Sequence, residues 1–366
     1  MNVKVITRHA PCNYGSLLQS IATIRIFRKL NYDCEIVDYI REDERGLKQN
    51  LCYLKNNRFW NSNLFTRILF VLLRLPEELI AEYRFNKLRK ENLSLTPRYS
   101  TLQELKSVSA DIFCTGSDQV WGNVVTGTYD PAYFLSFVKD GQKKIAFSAS
   151  FGRTDFDTHV LEEYEKLLSS YSGITVRESQ AVELLNRMNI HCDGHVLDPT
   201  LFLDKDEWLS LIPTKEIKGD FVLIYQVHND REINEYAKRF AQKHKLKLVR
   251  IAPYFHHITR GGRFVYLPNI SVFLSYFKHC KYLITDSFHG TSFALNFNKQ
   301  FQVILCKDNT GSRILSVLKL TGLENRLTHD LSDLDTIYGD TIDYDRVNAI
   351  IAREREESYK ILKSIL

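Results

Sequence analysis

The seven cysteines of this 366-residue chain (Cys12, Cys34, Cys52, Cys114, Cys192, Cys280 and Cys306) include no C-x-x-C pair. They are odd in number and scattered, and several sit in apolar, strand-like runs such as DIFCTG. That pattern argues against a disulfide framework or a zinc site and predicts reduced, buried thiols. Low-complexity tracts, RNP and zinc-finger motifs and metal-ligand spacings are also missing, so neither a metal nor a bound cofactor is expected. A net charge of +5 is too mild to make nucleic acid the expected partner. The longest apolar run, LFTRILFVLLRLPEELI at 64–80, is cut by Arg67, Arg74 and Pro76, so it is too short and too charged to span a bilayer. The chain begins MNVKVITRH, a strand start without the apolar core of a signal peptide. The expectation is a cytoplasmic protein.

What is present is the material of two α/β domains. The length is too great for one ordinary core, and 44% hydrophobic with 12% aromatic residues is a globular composition. VKVITR (3–8), a polar corner, a helix with Leu17, Ile21, Ile24 and Leu30 on one face, and CEIVDY (34–39) make one β-α-β unit. Residues 41–99 break the rhythm: they read as helical, with 12 basic against 7 acidic residues, an insertion carrying a charge of +5. The alternation resumes with strands expected at 110–116, 143–150, 173–178 and 195–200 and helices near 158–169 and 179–188. The polar stretch 204–220 reads as a link. Strands are then expected at 221–227, 246–252, 263–267, 281–285 and 301–306, and a last helix over 343–365. Strands alternating with helices imply parallel sheets. The fold expected is therefore α/β, two facing Rossmann-like domains (1–203 and 204–342) with a cleft between them, and a terminal helix (343–366) returning to the first.

Three polar corners fall where such sheets bind ligands, beyond the carboxyl ends of strands and at helix starts. The first is Asn13-Tyr14-Gly15-Ser16, where Gly15 allows close backbone approach and Ser16 can cap the helix. It is not a G-x-G-x-x-G fingerprint, so a dinucleotide is not expected, and a plain capped helix start is the alternative. The second is Thr115-Gly116-Ser117-Asp118-Gln119-Val120-Trp121. Ser-Asp alone can simply cap a helix, but an amide and a large aromatic beside it suit a sugar ring. The third is Asp286-Ser287-Phe288-His289-Gly290-Thr291, with His289 at a helix N-terminus. An imidazolium is disfavoured there unless a bound phosphate restores it. Arg177 and Glu178 at a strand end read either as a local ion pair or as ligand contacts. Arg313, after Gly311-Ser312, is either a solvated surface residue or a bidentate anion ligand.

NYGSLLQSIA, TGSDQVW, KIAFSASFG, TVRE, HVLDPT, TDSFHGTSFALNF and SRILSVLKLTGLENR occur in this order and resemble the polysaccharide pyruvyl transferase family from about residue 3 to 326. The resemblance implies a fold like the two-domain GT-B glycosyltransferases. It also implies transfer of a pyruvyl group from phosphoenolpyruvate, as the donor substrate, to a sugar of a surface polysaccharide or its precursor, usually as a ketal. On that basis His289 is the expected general acid or phosphate contact, with the Gly290 and Thr291 N–H groups on the phosphate and Arg313 or Arg177 on the carboxylate. Asn13, Tyr14, Gly15, Ser117, Gln119 and Trp121 would bind the acceptor, with Asp118 as base.

One position departs from the pattern. Some branches of the family carry an arginine two residues before this histidine, where this chain has Ser287. Either Arg313 or another basic residue supplies the missing charge, or the donor differs. The alternative readings are a GT-B glycosyltransferase using a nucleotide-sugar and a non-catalytic sugar-binding protein. For partners, a saccharide acceptor is expected, and acceptors for surface polysaccharides are often lipid-linked. RFWNSNLFTRILFVLLR, inside 41–99, combines apolar and cationic faces as an interfacial helix would, and packing on the protein's own core or in a dimer is the alternative.

Overall fold

The structure, a computed structural model, describes residues 1–44, 46–56, 58–124, 127–153, 155–212, 217–305 and 311–366. Cys306 and part of the 204–220 stretch lie outside the described residues. The chain divides into two compact units, Met1–Pro199 with Glu357–Leu366, and Thr200–Glu356.

The first unit runs β1 (Asn2–Ile6), α1 (Tyr14–Lys29), β2 (Asp33–Tyr39), α2 (Gly46–Asn56), α3 (Leu64–Asn92), β3 (Leu95–Tyr99), α4 (Leu102–Leu105) and β4 (Ile112–Thr115). It continues β5 (Lys143–Ala149), α5 (Thr158–Leu168), β6 (Gly173–Val176), α6 (Ser179–Arg187), β7 (Gly194–His195) and the start of α7 (Pro199–Phe202). After α8 (Lys205–Leu209), the second unit holds β8 (Phe221–Tyr225), α9 (Arg231–Lys243), β9 (Lys247–Ala252), β10 (Arg263–Tyr266), α10 (Ile270–His279), β11 (Tyr282–Thr285), α11 (Phe288–Asn296) and β12 (Gln300–Val303). The chain ends with α12 (Ser312–Thr321), α13 (Thr336–Gly339) and α14 (Tyr344–Ile365).

Both sheets are parallel, ordered β3-β2-β1-β4-β5-β6-β7 and β10-β9-β8-β11-β12. In each, the chain builds outward from one central strand, β1 or β8, and then returns to its other side with β4 or β11. That reversal is the topological switch point at which loops diverge and leave a crevice. The central strands are apolar on both faces, as sheets covered by helices require: β4, β8 and β11 are buried at every position.

Two expectations from the sequence are corrected here. Residues 41–99 are not helical throughout, because Leu95–Tyr99 pair with β2 as an edge strand. The Asp38 N–H donates to Thr96 Oγ1 at 3.0 Å and Arg98 pairs with the Asp38 carboxylate at 3.0 Å, which draws this stretch onto the sheet. HVLDPT forms only the two-residue β7 before turning inward, so that Asp198 reaches Arg177 and Pro199 opens α7. The last turns of α14 lie on the first unit, where Gly173 and Gly194 leave room for Ile365 and Ile361; a Cβ on either glycine would come within 2.8 Å of them. Ser358 Oγ also accepts the Leu197 N–H at 3.0 Å. Among the described residues no helix is long and apolar enough to cross a membrane.

Candidate functional site

At the first switch point the loops after β1 and β4 are tied by side chains. Asn13, not Ser16, caps α1: its Oδ1 accepts the Gly15 N–H at 2.7 Å. Ser16 is thereby released for another role, and its hydroxyl donates to the Asp118 carboxylate at 2.7 Å. Tyr14 is buried against Phe85 of α3, with ring centroids 5.0 Å apart. Asp118 itself is held at φ 76°, a left-handed backbone that a short polar side chain tolerates at a cost of about 1–2 kcal/mol. Its carboxylate also accepts the Gln119 N–H at 2.9 Å and faces the Arg177 guanidinium at 3.3 Å.

Behind Asp118 lies a closed charge network. Arg177 donates to Asp198 at 2.5 Å and to Ser117 Oγ at 3.1 Å, and Ser117 in turn donates to Asp198 at 3.0 Å. The side chains of Arg177 and Asp198 have no exposed surface. Burial alone would lower the Arg177 pKa, but Asp198, Asp118 and Glu178 together hold it above the ordinary arginine value. Glu178 accepts from the Ser150 hydroxyl at 2.7 Å. The expectation that Arg177 meets a donor carboxylate is corrected: its guanidinium is enclosed by this chain's own acids. It instead holds the Asp118 carboxylate in place through the 3.3 Å contact.

Trp121 also departs from the sequence reading. The indole has no exposed surface and packs at 5.0 Å from Phe151 and 5.9 Å from Phe134, so its face is core and is not offered to a sugar. Gln119 is half-buried and lies over Gly152, which has φ 71° and whose Cβ, if present, would fall 2.6 Å from the Gln119 side chain.

The second switch point repeats the design with a different carboxylate. Asp286, after β11, accepts the Val227 N–H at 2.8 Å and the His228 N–H at 3.0 Å, and faces His228 Nδ1 at 3.1 Å. It thus fastens the loop after β8. Ser287 caps α11, accepting the Gly290 N–H at 3.3 Å, while its carbonyl accepts the Thr291 N–H at 3.0 Å. The reading of those two N–H groups as phosphate donors is therefore corrected, since the helix's own first turn uses both. Gly290 is needed for a close approach: a Cβ there would lie 2.3 Å from Thr285 Oγ1. That hydroxyl is occupied, donating to Tyr225 O at 2.7 Å and accepting the Ser287 N–H at 3.0 Å.

His289, in the first turn of α11, is 6% exposed. Its ring stands edge-on to Phe288 at 5.3 Å, and the Arg313 guanidinium lies 5.9 Å from the Phe288 ring centre. The structure thus brings Arg313 to the histidine's corner although 24 positions separate them in the chain. Three residues escaped sequence reasoning: Asp198, for which only HVLDPT was a signal; Ser16 as partner of Asp118; and His228, which no motif marks. Among the described residues no three His, Cys, Asp or Glu side chains group as metal ligands.

Two Rossmann-like units of this kind define the GT-B class of fold. The chain is similar in fold to the S. aureus MnaA structure with UDP, at 12% identity over 96% of this chain and 91% of that one, TM-score 0.52. It is similar to UDP-GlcNAc 2-epimerase from Methanocaldococcus jannaschii, at 16% identity over 94% of each chain, TM-score 0.50. It is likewise similar to the Neisseria meningitidis UDP-GlcNAc 2-epimerase bound to UDP-GlcNAc, at 12% identity over 100% and 99%, TM-score 0.50. No curated protein matches the chain. A family model described as polysaccharide pyruvyl transferase matches residues 13–308, and the chain belongs to that family.

Proposed function

We propose that the protein transfers a pyruvyl group from phosphoenolpyruvate to a saccharide acceptor, closing a ketal across two sugar hydroxyls. The observation that carries this reading is the His289 corner, a histidine in a helix's first turn with Arg313 over the ring of the adjoining Phe288, in a chain of this family. His289 protonates the donor's methylene carbon, making C2 electrophilic. Arg313 steadies the donor's negative charge. Asp118, oriented by Arg177, takes the proton of the attacking sugar hydroxyl. The C2–O bond to phosphate breaks, inorganic phosphate leaves, and a second hydroxyl adds to C2. Donor and diol thus become ketal and phosphate without water or a redox step. Asn13, Gly15, Ser117 and Gln119 form the acceptor side, and Tyr14 and Trp121 support it from the core.

Incubation with phosphoenolpyruvate and a saccharide should release phosphate only when both are present, and His289→Gln should lower that rate by about 10²-fold or more. Stabilisation by UDP with no effect of phosphoenolpyruvate would favour nucleotide-sugar transfer instead.

We further propose that the acceptor is met at an anionic lipid surface, on the cytoplasmic side. α3 supports this with a solvent-facing stripe of Phe65, Ile68, Leu72, Leu79 and Tyr83, each about half exposed or more, opposite the buried Ala81, Phe85 and Leu88. Residues 46–76 contain Lys48, Lys55, Arg58, Arg67 and Arg74 and no acidic residue, which matches an anionic surface. The protein should float with vesicles containing phosphatidylglycerol and not with neutral ones, and Phe65→Ser with Leu72→Ser should abolish it. A dimer in solution that leaves vesicles unbound would assign the stripe to a second copy.

A further inference from the structure

Arg250 stands on β9, under the α9 side of the second sheet, with 1% of its surface exposed. Its Nη1 reaches Gln226 Oε1 at 3.4 Å, a long contact with a neutral amide. Nε and Nη2 are buried and have no hydrogen-bond partner among the described residues. These two nitrogens form one edge of the guanidinium fork, the edge that grips two oxygens of an oxyanion in parallel. The residue's main electrostatic neighbour is another cation, Arg260, and burial followed by that neighbour lowers the Arg250 pKa to about 10. Asp230, whose carboxylate caps α9 by accepting the Glu232 N–H at 2.7 Å, makes no ion pair with Arg250, and no acid raises the Arg250 pKa among the described residues.

A buried guanidinium with no acid paired to it among the described residues, beside a second arginine, is costly, and a bound anion is one arrangement that would supply the missing charge. We infer that Arg250, with Gln226 and Arg260, forms a phosphate-binding subsite at the carboxyl end of the second sheet. Gln226 Oε1 aligns the fork, and its Nε2 is itself fixed on Asp230 O at 2.7 Å. Arg260 is positioned by Asn229 Oδ1 at 2.5 Å. Two adjacent cations suit a dianion better than a single carboxylate. The subsite lies next in the chain to Val227 and His228, which Asp286 fastens. It therefore belongs to the same strand-end surface as the α11 corner. It also offers a cation in the half of the molecule where Ser287 supplies none. The phosphoryl group is either that of phosphoenolpyruvate or that of a nucleotide.

The experiment compares wild type with Arg250→Met, which keeps the length of the side chain without its charge, by thermal unfolding and calorimetric titration. The probes are inorganic phosphate, phosphoenolpyruvate and UDP, against chloride at matched ionic strength. At least one phosphate compound should stabilise the wild type, and Arg250→Met should weaken its Kd at least tenfold. The variant without ligand should be as stable as wild type or more so, because it no longer buries a lone charge. If UDP alone binds through Arg250, the subsite stands and the pyruvyl reading falls. If phosphoenolpyruvate is turned over equally well by Arg250→Met with unchanged Kd, the subsite is overturned and the pyruvyl reading stands. Absence of binding by all three probes, or a destabilised variant with unchanged Kd, also overturns it.

Discussion

The Ser16 hydroxyl donates to the Asp118 carboxylate at 2.7 Å across 102 positions of chain, joining the two loops that diverge at the first sheet's switch point. Asp118→Asn keeps the size and one acceptor oxygen but removes the charge that Arg177 holds. Transfer should fall by about 10²-fold or more, consistent with loss of a general base, while the fold is retained. Initial rates alongside circular dichroism check this; unchanged turnover would remove Asp118 from the chemistry.

Arg177 and Asp198 predict a stability effect instead. Both side chains are fully enclosed, so Asp198→Ala removes the nearest counter-charge of a buried guanidinium and should cost about 3–5 kcal/mol in urea unfolding. Substituting both partners with apolar residues should cost less than that single change. A double-mutant cycle reads the difference.

Gly290→Ala separates close packing from anion binding. The new Cβ would meet Thr285 Oγ1, which bridges Tyr225 and Ser287, so a loss of about 1–3 kcal/mol is expected, as for overpacking elsewhere. Gly290→Ala with full stability would show that α11 can shift, and its effect on donor binding would then report on the corner alone.

The thiols give a pH dependence. Burial pushes Cys34 and Cys280 each up to about 12 from an ordinary value of 9.0. Between about pH 9 and 12 the folded state therefore holds protons that the unfolded chain has released. Stability is full below that window and falls as pH rises through it, at about 1.4 kcal/mol per pH unit for each thiol. Denaturant midpoints measured from pH 8 to 10.5 check the slope, and Cys34→Ala with Cys280→Ala should lower it by their share, while Cys12 and Cys114, also raised by burial, keep the rest. The same burial makes Cys34 and Cys280 inert to alkylation until the protein unfolds.

Much of this molecule is written in local sequence. Runs such as FVLIY and YLIT are largely apolar and buried at every position because parallel strands are covered on both faces, so their spacing alone yields two α/β sheets. The polar corners at Asn13, Ser117 and Ser287 were equally legible, since residues that cap helices leave a local signature. What each corner does was decided only by the tertiary fold. A hydroxyl reads alike whether it caps a helix or meets a carboxylate 102 positions away, so Ser16 and Asn13 exchanged roles once Asp118 was in place. Trp121 looked like a sugar platform until neighbouring elements closed over it. Arg177 and Arg250 show the same limit in opposite directions. Both are arginines on or beside buried strands, and in sequence only the Glu178 next to Arg177 separates them. Packing places three carboxylates around the first and another arginine beside the second, because the charge a buried group meets depends on which strands become neighbours.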